Sequence, residues 1–316
     1  MNCKSIFHLA LLLIIPFVVL CKKKEKDPID ENSDILLVII DNNKSNEYAS
    51  AVNTFKKYDI PYYILKVPKT GIDIQELEDK IYVPTSKGIK MPKYSVIIFP
   101  NGRVSFDNAD YSQTSESNWQ SALSYDQWEF FYDCSRNFGT RLVFLNEYPS
   151  NYTSTKVYKE YKGSEAENAY QQKQTIIAES YLSEADVINQ SNLNTEGIYH
   201  FPAVIVDYNN GITAEPLLYF SEASEFPEKT IAAVSVENNG AHYAAFFMAF
   251  GEWSNDSTAL NIIWLTWATA KDFKLISGKR ITSEEAIKEN GIGDYNKYEI
   301  LFVIITTIIT IIITRF

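Results

Sequence analysis

Histidine and cysteine are scarce in this 316-residue sequence, three of each, and only His200 and His242 lie beyond the N-terminal segment Met1–Cys21. No His-x-x-x-His spacing occurs. The paired imidazoles and carboxylate of metal-dependent hydrolysis are therefore not supplied in their usual pattern, and no metal or other cofactor is expected. Glycine-rich phosphate-cradling loops are missing as well. Cys3 falls in the leading segment and Cys21 at its edge, which leaves Cys134 as the one internal thiol. No internal disulfide framework is available, so stability must come from a packed core. Cations are also outnumbered, 29 Lys and Arg against 40 Asp and Glu, for a net charge of -11. A nucleic-acid backbone needs clustered Lys and Arg, so no nucleic-acid partner is expected. The acidity suits an extracellular surface or a neutral or cationic partner, and equally plain solubility.

Aromatic residues are plentiful instead: 21 Tyr, 18 Phe and 5 Trp in a chain that is 46% hydrophobic. Both ends stand apart from this globular composition. Met1–Cys21 carries Lys4 and then the apolar run Ile6–Leu20, which reads as a secretory signal and is short for a membrane span. Cys21 is open to lipidation, but Leu20 before it is larger than lipoprotein processing prefers; simple cleavage and an uncleaved anchor are the alternatives. Residues 22–33 form a charged linker, 276–299 a polar one, and 300–316 a hydrophobic tail. Within the tail, 300–314 has the length of a lipid-anchor attachment signal. A buried strand and a gene-model artefact remain open for it. Asn43, Asn151, Asn189 and Asn255 are N-glycosylation acceptors if the source is a eukaryote.

Between the linkers, residues 34–275 read as one α/β domain. Ile35–Ile40 is an unbroken apolar run, suited to a parallel strand buried on both faces. Tyr48, Val52 and Phe55 give a helix face, with Ser45 or Asn46 as its cap. Tyr62–Val67 and Tyr94–Phe99 are further strands. Ser124 and Gln127 have capping-box spacing ahead of a helix bearing Trp128, Phe131, Tyr132 and Phe138. Gly139 ends that helix and Arg141–Leu145 follows as a strand. Strands alternating with helices predict an open, mostly parallel sheet of the flavodoxin or amidotransferase-like kind. An antiparallel section is added after Pro149: short strands at Ala203–Val206 and Leu217–Phe220, then two runs about Asn238-Asn239-Gly240, a strong hairpin signal. A last helix, capped by Asp256 or Ser257, carries Leu260, Ile263, Trp264 and Trp267 on one face.

Open parallel sheets bind ligands beyond the carboxyl ends of their strands. The loops there supply Asp41, Asn42, Asn101, Arg103, Asn146, Glu147, Tyr148 and Trp253 as candidate ligand-binding residues. Hydrogen-bonding groups beside aromatic faces suit sugar hydroxyls and the apolar face of a pyranose. The competing reading is that the Asn and Asp residues only cap helices and hold turns. Trp253 is the expected stacking residue, and Trp128, Trp264 and Trp267 are expected in the core. Trp119 is either exposed or anchors a loop. Catalytic residues are not expected. The place after the third strand where related enzymes put a nucleophile reads Phe99-Pro100-Asn101-Gly102, without Cys or Ser. His200 and His242 are expected to be satisfied core or rim residues, and Cys134 a small buried hydrophobe.

Several blocks also carry a family resemblance: Ile35–Ile40, Tyr58–Tyr62, Ser121–Trp128, Phe138–Pro149, Phe246–Phe250 with Trp253-Ser254, and Trp264–Trp267. In this order they resemble carbohydrate-binding module family 87, the N-terminal non-catalytic domain of secreted fungal exopolysaccharide deacetylases of the galactosaminogalactan type. The resemblance implies binding of an amino-sugar polysaccharide by a secreted or surface-held protein, with Cys21 and the 300–314 tail as candidate points of membrane attachment. It fades near Lys274, before the place where such proteins carry their metal-dependent catalytic domain, so no catalytic residue is carried over. The alternatives are a hydrolase using Glu147 or Asp41 on an amidotransferase-like fold, and a structural surface protein with no sugar ligand. Glu147 facing Glu252 would be the carboxylate pair of a glycosidase.

Overall fold

The computed structural model describes residues 34–41, 48–85, 88–109, 118–161, 173–180, 182, 188–189, 193–196, 198–249 and 257–270. The signal segment, both linkers, the hydrophobic tail, Asn42, Ser45, Asn46, Glu252, Trp253 and Asp256 lie outside them. In chain order the elements are β1 (Asp34–Ile40), α1 (Ala49–Lys57), β2 (Tyr62–Val67), α2 (Ile74–Ile81), β3 (Tyr82–Pro84), β4 (Lys90–Pro92) and β5 (Tyr94–Phe99). There follow β6 (Ser105–Asp107), β7 (Trp119–Ser121), α3 (Tyr125–Phe138), β8 (Arg141–Phe144), a 3-10 turn (Asn151–Thr153), β9 (Thr155–Val157) and α4 (Tyr158–Tyr161). The series closes with β10 (Ile176–Ala178), β11 (Ala203–Ile205), β12 (Ile212–Phe220), β13 (Thr230–Asn238), β14 (Ala241–Phe246) and α5 (Ser257–Thr269).

Ten of the strands make one mixed sheet with the path β10-β12-β13-β14-β8-β5-β1-β2, and β11 pairs with both β13 and β9. From β14 to β2 every pairing is parallel. Taken in chain order, these five strands lie 2-1-3-4-5, the flavodoxin-like arrangement. The β13–β14 hairpin converts the sheet to antiparallel pairing. Its turn has Asn239 at φ 49° and Gly240 at φ 87°, the two positive values that let a two-residue turn follow the strand twist. Strand β12 runs longer than the sequence signals. Its register shifts at Pro216, where no N–H is available to the ladder.

The alternation within β1 divides the core between the two faces of the sheet. Ile35, Leu37 and Ile39 pack with Phe55 of α1 and Trp264 of α5, whereas Leu36, Val38 and Ile40 pack with Leu77 of α2 and Trp128 and Phe131 of α3. A buried polar network fastens α1 to α5. Asn261 donates to Ser50 Oγ at 2.8 Å and Thr54 Oγ1 at 3.1 Å, and its Oδ1 accepts from Trp264 Nε1 at 2.7 Å. With its amide donors and its carbonyl oxygen all bonded, burying Asn261 costs little. Trp264 and Trp128 are core residues as expected; Trp267 is half-buried at the rim, its ring under the Arg141 guanidinium.

The two ends of α3 are built as its sequence signals. Ser124 Oγ accepts from Gln127 N, and Gln127 Oε1 accepts from Ser124 N at 2.8 Å. Gly139 takes the left-handed conformation, φ 76° and ψ 15°. Helix α1 differs: it begins after Tyr48, with no side-chain cap. Among the described residues no helix is long and apolar enough to cross a membrane.

Candidate functional site

The carboxyl edge of the parallel strands carries a cavity of about 340 Å³. It lies over the ends of β5 and β8, between the β6–β7 hairpin, the first turns of α3 and the 3-10 turn. The sequence explains this placement. Leaving β5, the chain runs through Gly102 at φ 53° and Val104 at φ 52° and so doubles back into the hairpin. Ala122 N donates to Val104 O at 3.0 Å, which brings the hairpin's second strand to the cap of α3. Ser121 then joins three parts of the wall. Its Oγ donates to Arg103 O at 2.7 Å, and accepts from Leu123 N at 3.1 Å and Trp128 Nε1 at 3.2 Å.

Arg103 is the central side chain of the cavity. Its guanidinium lies 4.4 Å from the centre of the Trp128 ring and 4.0 Å from that of Tyr152, and its Nη1 donates to Tyr132 OH at 3.0 Å. Contacts of a cation with two ring faces are each worth about 0.5–2 kcal/mol, depending on desolvation. Burial opposes the charge, but Tyr132, Glu147 and Tyr243 outweigh it and hold the guanidinium pKa above its ordinary value. Beneath the ring of Trp128 lies an aromatic layer of Phe99, Phe131, Phe144, Tyr132 and Tyr243. Tyr243 OH donates to Tyr152 O and so ties the 3-10 turn to β14.

Three aromatic side chains at the cavity face solvent: Trp119 is 63% exposed, Tyr125 72% and Tyr152 42%. Exposure of this order for large rings is not explained by the packing of the fold. Ser105, Gln120 and Glu129 add polar groups to the lining. The combination of flat apolar faces, hydroxyl and amide groups, and one cation accommodates a pyranose ring, and the volume lies at the small end of ligand sites.

The expected site residues fall into separate groups. Arg103 lines the cavity. Asn101, Asn146 and Glu147 form a layer behind it: Asn146 Nδ2 donates to Asn101 Oδ1 at 3.1 Å, and Asn146 has φ 53°. Glu147 is buried, and burial pushes its carboxyl pKa up to about 7 against the partial opposition of Arg103. Among the described residues its Oε2 and Asn146 Oδ1 have no hydrogen-bond partner. Tyr148 is half exposed and meets the edge of Phe201. Asp41 is exposed at the end of β1, its N–H bonded to Val67 O, and is not part of the lining. Asn42 and Trp253 lie outside the described residues. Trp119, Tyr125, Tyr152 and Glu129 line the cavity although strand ends alone do not single them out as ligand-binding residues. The signal that points to them is Tyr125, a large aromatic at the first position of a capped helix beside the strand ends.

The remaining candidates do not line the cavity. His200 is buried with Nδ1 2.9 Å from Ile198 O, and burial pushes its imidazole down to about 4. His242 is exposed on β14 rather than packed. Cys134 is buried against Tyr82 OH, and burial pushes its thiol up to about 11. Among the described residues no group of His, Cys, Asp and Glu is placed to hold a metal ion.

Comparison with known proteins bears on both the family and the fold. The family model described as Agd3 CBM87 matches residues 32–267. The crystal structure of Agd3, described as a novel carbohydrate deacetylase, is similar with a TM-score of 0.57 and 25% sequence identity, over 75% of this chain and 32% of that chain. This chain thus spans about a third of the length of the structure it matches. No curated protein matches it.

Proposed function

Since the chain belongs to the Agd3 CBM87 family and is a carbohydrate-binding domain related to that deacetylase, we propose that it is a non-catalytic module for an amino-sugar polysaccharide, and that the Arg103 cavity is where the sugar docks. The exposed trio Trp119, Tyr125 and Tyr152, in a lining that also holds Ser105, Gln120 and Glu129, is the observation that carries this reading. An aromatic face pairs with the C–H face of a pyranose, while Gln120, Ser105 and Glu129 are within the same lining for its hydroxyls. The module acts outside the cell or at its surface, which the signal character of Met1–Cys21 supports. Membrane attachment, through Cys21 or the 300–314 tail, belongs to the same proposal.

Affinity electrophoresis through gels containing galactosamine or glucosamine polymers tests it. The chain should be retarded by at least one of them, and Trp119→Ala should lose most of that retardation at an unchanged melting temperature, because a ring 63% exposed contributes little to the fold. Free passage through every polymer would overturn the reading. Undiminished retardation of Trp119→Ala would move the site elsewhere on the molecule.

A further inference from the structure

Of the Asn-x-Ser/Thr acceptors, Asn151 and Asn189 fall within the described residues, and the fold treats them in opposite ways. Both are exposed, so exposure does not separate them; hydrogen bonding does. Strand β10 ends the path of the sheet, with β12 on one side, and the outward-facing groups of such a strand invite stray pairing. Here they are covered. Ile176 N donates to Leu193 O at 2.8 Å. The Asn189 side chain answers both backbone groups of Ala178: Ala178 N donates to Asn189 Oδ1 at 2.8 Å, and Asn189 Nδ2 donates to Ala178 O at 3.3 Å. One primary amide thus stands in for a neighbouring strand. Asn151 is the opposite case. It opens the 3-10 turn, its backbone oxygen accepts from Asn210 Nδ2 at 3.2 Å, and its side-chain amide makes no hydrogen bond among the described residues.

Attaching a sugar to Nδ2 makes the side-chain amide secondary, and a planar amide keeps the trans form. The sugar carbon then takes the place of the hydrogen on the Oδ1 side, and the remaining N–H points the other way. Asn189 needs the hydrogen on the Oδ1 side, because its Oδ1 and Nδ2 meet the N–H and C=O of a single residue. A glycan there would aim its first sugar at Ala178 O and leave the edge of β10 open. Asn151 gives up nothing by the same step, since its amide holds no part of the fold. Its motif includes Thr153, which is buried with Oγ1 bonded to Ser150 and Thr155, so modification precedes closure of the turn. Resting on the proposed secretion of the chain, we infer that Asn151 is an N-glycosylation site in a eukaryotic secretory pathway, and that Asn189 stays bare because its amide closes the edge of the sheet. The glycan is rooted next to Tyr152, at the margin of the cavity. Chains modified at Asn189 fail to complete the β10 edge and are lost before secretion.

The experiment expresses the full chain in a eukaryotic secretory host and reads the occupancy of each acceptor by peptide mass spectrometry, after enzymatic deglycosylation in heavy-oxygen water. In the secreted protein Asn151 should be occupied and Asn189 empty. The two motifs differ, with threonine in one and serine in the other, so Ser191→Thr makes them alike. Asn189 should stay empty in that variant too, and its secreted yield should fall below wild type. Asn151→Gln should remove the glycan and leave the urea midpoint unchanged. Asn189→Gln, whose longer side chain cannot meet both groups of Ala178, should lower the midpoint. A glycan on Asn189 in secreted wild type or Ser191→Thr protein overturns the inference. An unchanged midpoint for Asn189→Gln overturns the role given to its amide. An empty Asn151 beside an occupied Asn43 or Asn255 overturns the inference and leaves the proposed secretion standing. Four empty acceptors overturn it as well, and the secretion with it where the chain stays in the cell. Because wild-type occupancy alone decides, the outcome holds even if the Asn189 variant fails to fold.

Discussion

At the scale of single residues, the site depends on one position where a side chain would be strained and crowded. Gly102 has φ 53°, and a Cβ built there would lie 3.0 Å from Asn146 O and 3.1 Å from Glu147 Oε2. Its own N–H is bonded to Leu145 O at 2.6 Å, which fixes the distance between the β5 and β8 loops. Gly102→Ala combines a strained backbone with a tight contact against the Asn146 carbonyl oxygen. Each effect costs about 1–3 kcal/mol in other settings. The urea midpoint of Gly102→Ala should fall accordingly, and sugar retardation should weaken as Arg103 is displaced. A midpoint equal to wild type would mean that the loop relaxes freely and that the close approach of the two strand ends is not a constraint on the site.

At the scale of elements, α3 links stability to binding, because the turn that is capped also lines the cavity. Tyr125, Trp128 and Glu129 all sit in the first turns that Ser124 closes. Ser124→Ala should cost about 1 kcal/mol. Gln127→Ala should cost more, since Gln127 Nε2 also donates to Ile72 O and holds the chain ahead of α2. Denaturant midpoints rank the two; a smaller loss for Gln127→Ala would mean that the Ile72 contact adds nothing. The cap, the glycine stop, the apolar strands and the Asn-Gly hairpin are all legible in sequence, because each is a local signal with a local cause. Helix α2 has its signal too, in Asp73 followed by Ile74, Leu77 and Ile81, but its span is short. The β6–β7 hairpin has none. Its strands have three residues each, too few for alternation to show, and pairing of Phe106 with Gln120 joins residues far apart in the chain. The site inherits that difficulty. Asn101, Arg103, Asn146 and Glu147 follow from strand ends alone, whereas Tyr152 meets Arg103, and Trp119 joins the same lining, only once the 3-10 turn and the hairpin have folded over it.

At the scale of the whole molecule, two buried groups tilt stability in opposite directions with pH. Glu147 has a native pKa of about 7 against an ordinary 4.5. The native state therefore holds a proton that the unfolded chain releases, so stability declines as pH rises from 4.5 to about 7 and is level above. His200 has a native pKa of about 4 against 6.5. There the unfolded chain binds the extra proton, and stability declines as pH falls from 6.5 to about 4. Where the windows overlap, the slopes offset each other, and the wild-type contribution of this pair is nearly flat. Glu147→Gln keeps the shape of the protonated acid and removes one slope. Relative to wild type the variant should gain stability as pH rises from about 4.5 to about 7, by on the order of 3 kcal/mol in total, since displacing a pKa by one is worth about 1.4 kcal/mol. The His200 slope should then stand alone, with stability rising from about pH 4 to about pH 6.5. Urea unfolding across that range measures both curves. Parallel curves would show that Glu147 is ionised in the folded protein at neutral pH, with Arg103 strong enough to cancel its burial. The cavity would then have a charged Glu147–Arg103 pair at its back.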